Sequence, residues 1–394
     1  MSWAGPYQYD IGKSRDAEAT PAEVVFDPKV PTLLCLSHLR WSFVYQRPQH
    51  LMTRFARDFN VLFLEEPIAT EADQPWLEVR PAENDVQVLI PRLPDGCTGE
   101  AAERVQKGLV DGYLDRLEVK DLLLWFYTPM ALSYAEHLKP RVVIYDCMDE
   151  LSAFRGAPPE LIEREKQLLE RADLVFTGGY SLWEAKRELH DNAHPFPSSV
   201  DVEHFASARD RRADPEDQAA IGRPRLGFYG VIDERFDIEL VGSVAELRPD
   251  WQFVLVGPVV KIDPADLPRR NNIHYLGAKT YDELPSYLGG WDVAIMPFAM
   301  NESTRFISPT KTPEYLAGGC PVVSTPIRDV VRTYGDTGIV RIADTTQAFV
   351  EAVEASLDDA ADRERLLETA DQILGEMSWD HTWTLMKEKI SCAM

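Results

Sequence analysis

Short, continuously apolar runs recur along this chain, each separated from the next by a stretch long enough to hold a helix. The first is Pro31-Thr32-Leu33-Leu34-Cys35-Leu36-Ser37, and others follow at 61–64, 86–90, 122–126, 142–145 and 174–177. A strand with apolar side chains on both faces must be covered on both faces, which marks a parallel sheet flanked by helices. Segments at 51–59, 100–117, 159–171 and 182–189 read as helices, so the first half predicts a doubly wound α/β domain. A second series at 225–230, 253–256, 273–276, 292–296, 321–324 and 338–342, with helices at 238–247, 282–288, 346–357 and 361–377, predicts another. Between them lies a charged, proline-containing stretch that reads as a linker. The expected plan is an extension at 1–30, a first Rossmann-like domain at 31–205, a linker at 206–222, a second such domain at 223–377 and a final helix at 378–394.

Composition narrows the function. With 41 Lys+Arg against 65 Asp+Glu the formal charge is −24, which argues against non-specific binding of nucleic acid or anionic lipid. The five cysteines are scattered and none forms a Cys-x-x-Cys pair, the pattern of buried reduced thiols in a cytosolic protein. No leader opens the chain and no apolar run is long enough to span a bilayer, so a cytoplasmic location without a transmembrane segment is expected, with peripheral membrane contact left open. The chain has no Gly-x-Gly-x-x-Gly after a strand, no Walker loop, no His-Glu-x-x-His and no Cys/His metal spacing, which weakens a dehydrogenase, a nucleoside triphosphatase and a zinc hydrolase.

The chemistry concentrates in Ser308-Pro309-Thr310-Lys311-Thr312-Pro313-Glu314, read as a loop entering a short helix that opens at Thr312-Pro313 or one turn earlier at Ser308-Pro309. A lysine ahead of unpaired helix amides favours an anionic group, and an ionised glutamate is an acceptor suited to a pair of hydroxyls such as those of a ribose. Together they suggest a nucleotide sugar. The competing reading is a solvated lysine and a glutamate that merely complements the helix dipole. In the first half, the loop after 31–37 carries His38, Arg40, Trp41, Arg47 and His50, either a binding surface at a strand end or ordinary packing under a loop. Asp146, Asp149 and Glu150 cluster where a buried strand ends. Asp149 is the first choice and Asp146 the second for a general base on an acceptor hydroxyl, against the alternative of an acidic helix N-terminus. In the second half, Gly230, Gly257 and Gly277 stand at successive strand ends, as close-approach positions or plain turns. Arg235 precedes a helix start capped by Asp237, poised either for phosphate oxygens or for a salt bridge to Asp233 or Asp237.

The pattern Ser308-Pro309-x-Lys311-x-x-Glu314-Tyr315-Leu316-Ala317-x-Gly319-x-Pro321-Val322-Val323 resembles the donor-site signature of bacterial glycosyltransferases of the GT-B fold, close to glycosyltransferase family 4, or group 1. Gln46-Arg47-Pro48-Gln49-His50 is similar to the N-terminal domain of the same enzymes. The resemblance implies two Rossmann-like doubly wound parallel-sheet domains facing a cleft, with the C-terminal helix crossing back to the first. It also implies transfer of a hexose-type sugar from a nucleotide sugar, a UDP-sugar by preference, to a hydroxyl of a glycan, lipid-linked or small-molecule acceptor. The donor site would comprise Gly230, Arg235, Gly257, Gly277, Ala278, Ser308, Pro309, Thr310, Lys311 and Glu314, with Lys311 and Arg235 on the diphosphate and Glu314 on the ribose. The acceptor side would hold His38, Arg40, Arg47, His50, Asp146 and Asp149. Catalysis would fall to Arg235, Lys311 and, for an inverting reaction, Asp149; no metal or other cofactor is expected, and a retaining outcome is favoured. Many members carry a hexose-binding Glu eight positions before the ribose-binding one, where this chain has Phe306, and their Gly-Gly pair after the first strand is missing. A sugar-nucleotide epimerase and a non-catalytic nucleotide-sugar sensor are the rival functions.

Overall fold

The computed structural model describes residues 26–210, 213–358 and 363–394. Most of the expected extension, the arginines at 211–212 and the expected helix start at 361 lie outside the described residues. The chain divides into two units. The first gathers the described residues through Gly178 with Trp183–Phe196 and Trp383–Met394, and the second gathers Gly179–Leu182 and Pro197–Thr382.

In the first unit the strands are β1 (Thr32–Leu36), β2 (Asn60–Leu64), β3 (Ile68–Thr70), β4 (Trp76–Pro81), β5 (Gln87–Pro94), β6 (Leu122–Phe126), β7 (Val142–Cys147), β8 (Leu174–Thr177) and β9 (Ala193–Pro195). Their order is β3-β5-β2-β1-β6-β7-β8-β9, parallel throughout except that β4 pairs antiparallel with β5. Every residue of β1 is buried, as a central strand covered on both sides requires. Phe55 from a covering helix meets Trp125 of β6 at 5.2 Å between ring centroids, and Trp125 meets Phe176 of β8 at 5.7 Å, so one aromatic seam crosses that sheet.

The helix expected at 51–59 is Arg47–Phe55 instead. Pro48 belongs to its first turn, where a missing N–H goes unused, and Gln46 and Gln49 close a capping box ahead of it. The expectation of Arg47 to His50 as loop is corrected accordingly. The sequence runs did not mark β3, β4 and β9, which are short or exposed edge strands without a continuous apolar run.

The second unit has β10 (Arg225–Tyr229), β11 (Gln252–Val256), β12 (Ile273–Gly277), β13 (Val293–Met296), β14 (Val322–Ser324) and β15 (Val340–Ile342), ordered β12-β11-β10-β13-β14-β15 and all parallel. The order reverses between β10 and β13, and in such sheets ligands gather at the carboxyl ends of the strands beside that reversal. Stretch 206–222, expected to be a linker, packs into this unit over its described part. Ala208 and Ile221 join its core, Gln218 accepts from Trp291 Nε1 at 2.9 Å, and Asp214 pairs with the buried Arg225 at 2.7 Å. Among its described charges Arg209, Asp214 and Asp217 are paired, with Asp371, Arg225 and Lys279.

The last helix runs Trp379–Ala393, with Ser378 Oγ accepting from His381 N–H at 3.1 Å as its cap. Its final residues group with the first unit, where Lys387 pairs with Asp58 at 2.6 Å and Arg57 lies 5.1 Å above the Trp383 ring.

Candidate active site

Gly230 follows β10 and turns the chain with φ +142°. A Cβ there would fall 2.2 Å from Lys311 Cε and 3.0 Å from its Nζ, so the lysine side chain lies directly on bare main chain. Gly257, after β11 with φ +141°, meets the same turn: its Cβ would fall 1.9 Å from the Gly230 carbonyl oxygen. Gly277 ends β12 with φ +70°, and its carbonyl accepts from the Gly257 N–H at 2.8 Å. Three neighbouring strand ends therefore form a shelf without side chains, where a ligand can approach the backbone closely. Ala278 is exposed beside it.

The helix bearing Lys311 and Glu314 runs Lys311–Ala317. Its start falls between the two expected openings: Lys311 is the first helical residue, Thr310 stands before it without a side-chain cap, and Pro313 occupies the third position, whose N–H would have no helical partner anyway. Ser308, Pro309 and Thr310 lead in, each half-buried. The helix is fastened to the sheet by Tyr315, whose hydroxyl accepts from the Tyr229 N–H at 3.0 Å, and by Thr312, which bonds Met296 Sδ at 2.9 Å.

Lys311 and Glu314 are three residues apart and share a helix face. Burial pushes the Glu314 carboxyl up to about 7, against the opposing pull of the Lys311 ammonium and of the Tyr229 and Thr310 hydroxyls. Its side chain keeps some solvent contact. The structure thus brings Gly230, Gly257, Lys311 and Glu314 together.

Arg235 is engaged differently. Its Nε lies 2.9 and 3.1 Å from the two Asp233 carboxylate oxygens and its Nη2 lies 2.6 Å from Oδ2, which is the salt-bridge alternative. Asp237 caps the helix Ile238–Leu247, accepting from Leu240 N–H at 2.8 Å as expected. Phe306 is half-buried with the Arg305 guanidinium 5.1 Å from its ring.

In the first unit most expected acceptor-side residues serve internal bonds. Arg47 and Asp146, at 2% and 0% exposure, form a bidentate pair, with Nε at 3.1 and 3.0 Å and Nη2 at 2.8 Å, and Arg47 Nη1 donates to the Phe196 carbonyl at 2.8 Å. Asp146 is therefore a buried counter-ion, which corrects its reading as an alternative base. Arg40 is pinned to Glu65 at 3.0 Å and to the Glu66 carbonyl, and burial pushes the His38 imidazole down to about 4 against its interaction with the Tyr127 backbone carbonyl. His50 is buried edge-on to Tyr45 at 4.7 Å. Asp149 remains half-buried at the end of the strand, close enough to Arg47 to favour its positive charge.

Residues 223–359 match the family model described as glycosyl transferases group 1. That match takes in all six strands of the second unit's sheet. Every expected donor-side residue, from Gly230 to Glu314, lies inside the matched residues. TuaH of Bacillus subtilis (strain 168), named for a glycosyltransferase of teichuronic acid biosynthesis, is 28% identical over 201 residues, covering 46% of this chain and 50% of that protein. The match thus spans half of that relative's length. Sucrose-phosphate synthase from Thermosynechococcus elongatus superposes with a TM-score of 0.65 at 15% identity, over 91% of this chain and 98% of its own. Anabaena HepE, solved with UDP and glucose, gives 0.65 at 13% identity over 92% and 99%. These likenesses establish the GT-B fold. Sequence reasoning missed Tyr229, whose hydroxyl approaches Glu314, and the charged pair Glu234 and Lys261 flanking the shelf. Their positions just before or beyond strand ends were the available signal.

Proposed function

We propose that the protein transfers a hexose-type sugar from a UDP-sugar to a hydroxyl of a glycan, lipid-linked or small-molecule acceptor, in the cytoplasm. The observation that carries this reading is Lys311 lying across Gly230, with Glu314 on the same helix face, within the residues that match the glycosyltransferase family model. The UDP and glucose bound in the HepE crystal structure and the polysaccharide named for TuaH support the choice of donor and acceptor class.

A diphosphate leaving the sugar gathers negative charge, and the Lys311 ammonium offers fixed positive charge beside a surface with no side chains in the way. Glu314, once ionised, accepts hydrogen bonds from the two ribose hydroxyls. Arg235 joins the diphosphate by exchanging part of its Asp233 pairing for phosphate oxygens, a swap its planar, always-charged fork permits. These cations and main-chain groups act on the leaving group without a metal or other cofactor. A retaining course requires no protein base; in an inverting course Asp149 would take the acceptor proton.

Incubating the protein with a UDP-sugar panel and glycan acceptors, with and without a chelator, tests this reading. The expected result is sugar transfer with release of UDP, insensitive to the chelator and abolished in Lys311→Ala. Isomerised donor without transfer would favour an epimerase, and UDP binding without turnover a sensor.

A further inference from the structure

Glu234 lies on the loop leaving β10, beside the reversal in strand order. Both of its carboxylate oxygens are shielded from solvent, and neither accepts a hydrogen bond among the described residues. Lys261 stands with Nζ 4.0 Å from Oε1, close enough to attract but not to bond. A carboxylate removed from water without gaining donors is costly, and such groups in folded proteins call for an explanation.

The loop is not free to relieve that cost. Phe236 is buried against Phe228 at 5.0 Å between ring centroids, Ala299 N–H donates to the Arg235 carbonyl at 2.7 Å, and Asn301 Nδ2 donates to the Glu234 carbonyl at 3.0 Å. Lys261 comes from the loop after β11, tied to the first by an Ile232–Val259 bridge, and its backbone sits at φ +61°, a conformation unusual for a residue with a Cβ. Two rigid loops therefore hold a carboxylate with unused acceptor positions next to a cation, a stored cost of the kind found at binding sites.

A nucleotide sugar is linear, running ribose, diphosphate, sugar. With Glu314 on the ribose and Lys311 with Gly230 on the diphosphate, the sugar is left to the loops that continue from the glycine shelf. We propose that Glu234 determines specificity for the transferred sugar, accepting hydrogen bonds from two adjacent hydroxyls of an uncharged hexose, with the Lys261 ammonium beside it. A sugar bearing its own carboxylate would meet like charge there and be disfavoured. This rests on the donor-site reading above.

The test is calorimetric titration of the full chain and of Glu234→Gln with UDP, UDP-glucose, UDP-galactose and UDP-glucuronate, alongside thermal melting. Wild type should prefer at least one neutral sugar nucleotide over UDP-glucuronate. Glu234→Gln should weaken that preferred ligand about tenfold, leave UDP within about twofold and melt no lower, because a shielded charge has been removed. Equal weakening of UDP and UDP-sugar, a lower melting point, a wild-type preference for UDP-glucuronate, or unchanged affinity throughout would each overturn the assignment of Glu234 alone. A wild-type protein that binds neither UDP nor any UDP-sugar would instead overturn the donor site, and this assignment with it.

Discussion

Replacing Glu314 by Gln should make the protein more stable and a poorer donor binder at the same time. Burial pushes this carboxyl from its ordinary 4.5 to about 7. A group that binds its proton more tightly when folded adds stability below its unfolded pKa and loses that contribution as pH rises through the folded value. Above pH 7 the ionised carboxylate is therefore a cost, about 3.5 kcal/mol for the rise from 4.5 to about 7 at about 1.4 kcal/mol per pH unit. Residual solvent contact reduces this to about 1–2 kcal/mol. Glu314→Gln removes it, so at pH 8 the transition that includes the second unit should rise by about 2–6 °C, and at pH 5 wild type and variant should nearly coincide. Binding should move the other way. UDP-glucose is the suitable probe, since its phosphates are diesters and do not titrate near pH 6 as a terminal phosphate does. Wild-type affinity should climb about tenfold between pH 6 and 8 as Glu314 ionises, whereas the variant, lacking a charge-assisted acceptor, should be about 10–100-fold weaker at pH 8 and nearly flat with pH. Melting curves and calorimetry at pH 5, 6, 7 and 8 decide the matter. A variant that melts lower at pH 8, or a wild-type affinity without pH dependence, would refute the argument.

Three further outcomes are expected. Lys311→Ala should lower UDP affinity about tenfold or more while moving the melting point by less than about 2 °C, because one ammonium is removed from a partly exposed position; calorimetry and melting read both. Gly257→Ala should destabilise by about 2 kcal/mol or more, since its Cβ would fall 1.9 Å from the Gly230 carbonyl oxygen at a φ of +141°, and the loss should appear in denaturant titration. Arg47→Met should cost about 3–5 kcal/mol by stranding Asp146 in the interior, and adding Asp146→Asn should recover part of that loss.

Much of the sheet was legible because strands covered on both faces must be largely apolar: β1, β6 and β10 are buried from end to end, and Arg225 is the one charged residue among them. Strand β4 carries no such mark: it pairs on one side only and leaves Trp76 and Pro81 in solvent. The helix Arg47–Phe55 was expected four residues later; its Pro48 fits a first turn although proline is excluded from a helix interior, a distinction that depends on where the helix begins. Of the site, Lys311, Glu314 and the glycines were singled out by their places at a helix start and at strand ends, and the family resemblance implied their roles. Arg47 and Asp146 could not be, since 99 residues separate them and only the tertiary fold turns two apparent surface residues into one internal ion pair. Arg235 was left between ligand and salt bridge for a related reason: Asp233 is close enough in sequence to compete for it in any conformation.

The touching turns at Gly230 and Gly257 carry an evolutionary consequence. Where two loops meet through naked peptide, a methyl group on Gly257 would displace the Gly230 carbonyl and one on Gly230 would displace the Lys311 side chain, so the three positions must be inherited as a unit. Diversification toward new substrates would then be confined to the residues further along each loop, where side chains can be exchanged without disturbing the platform beneath.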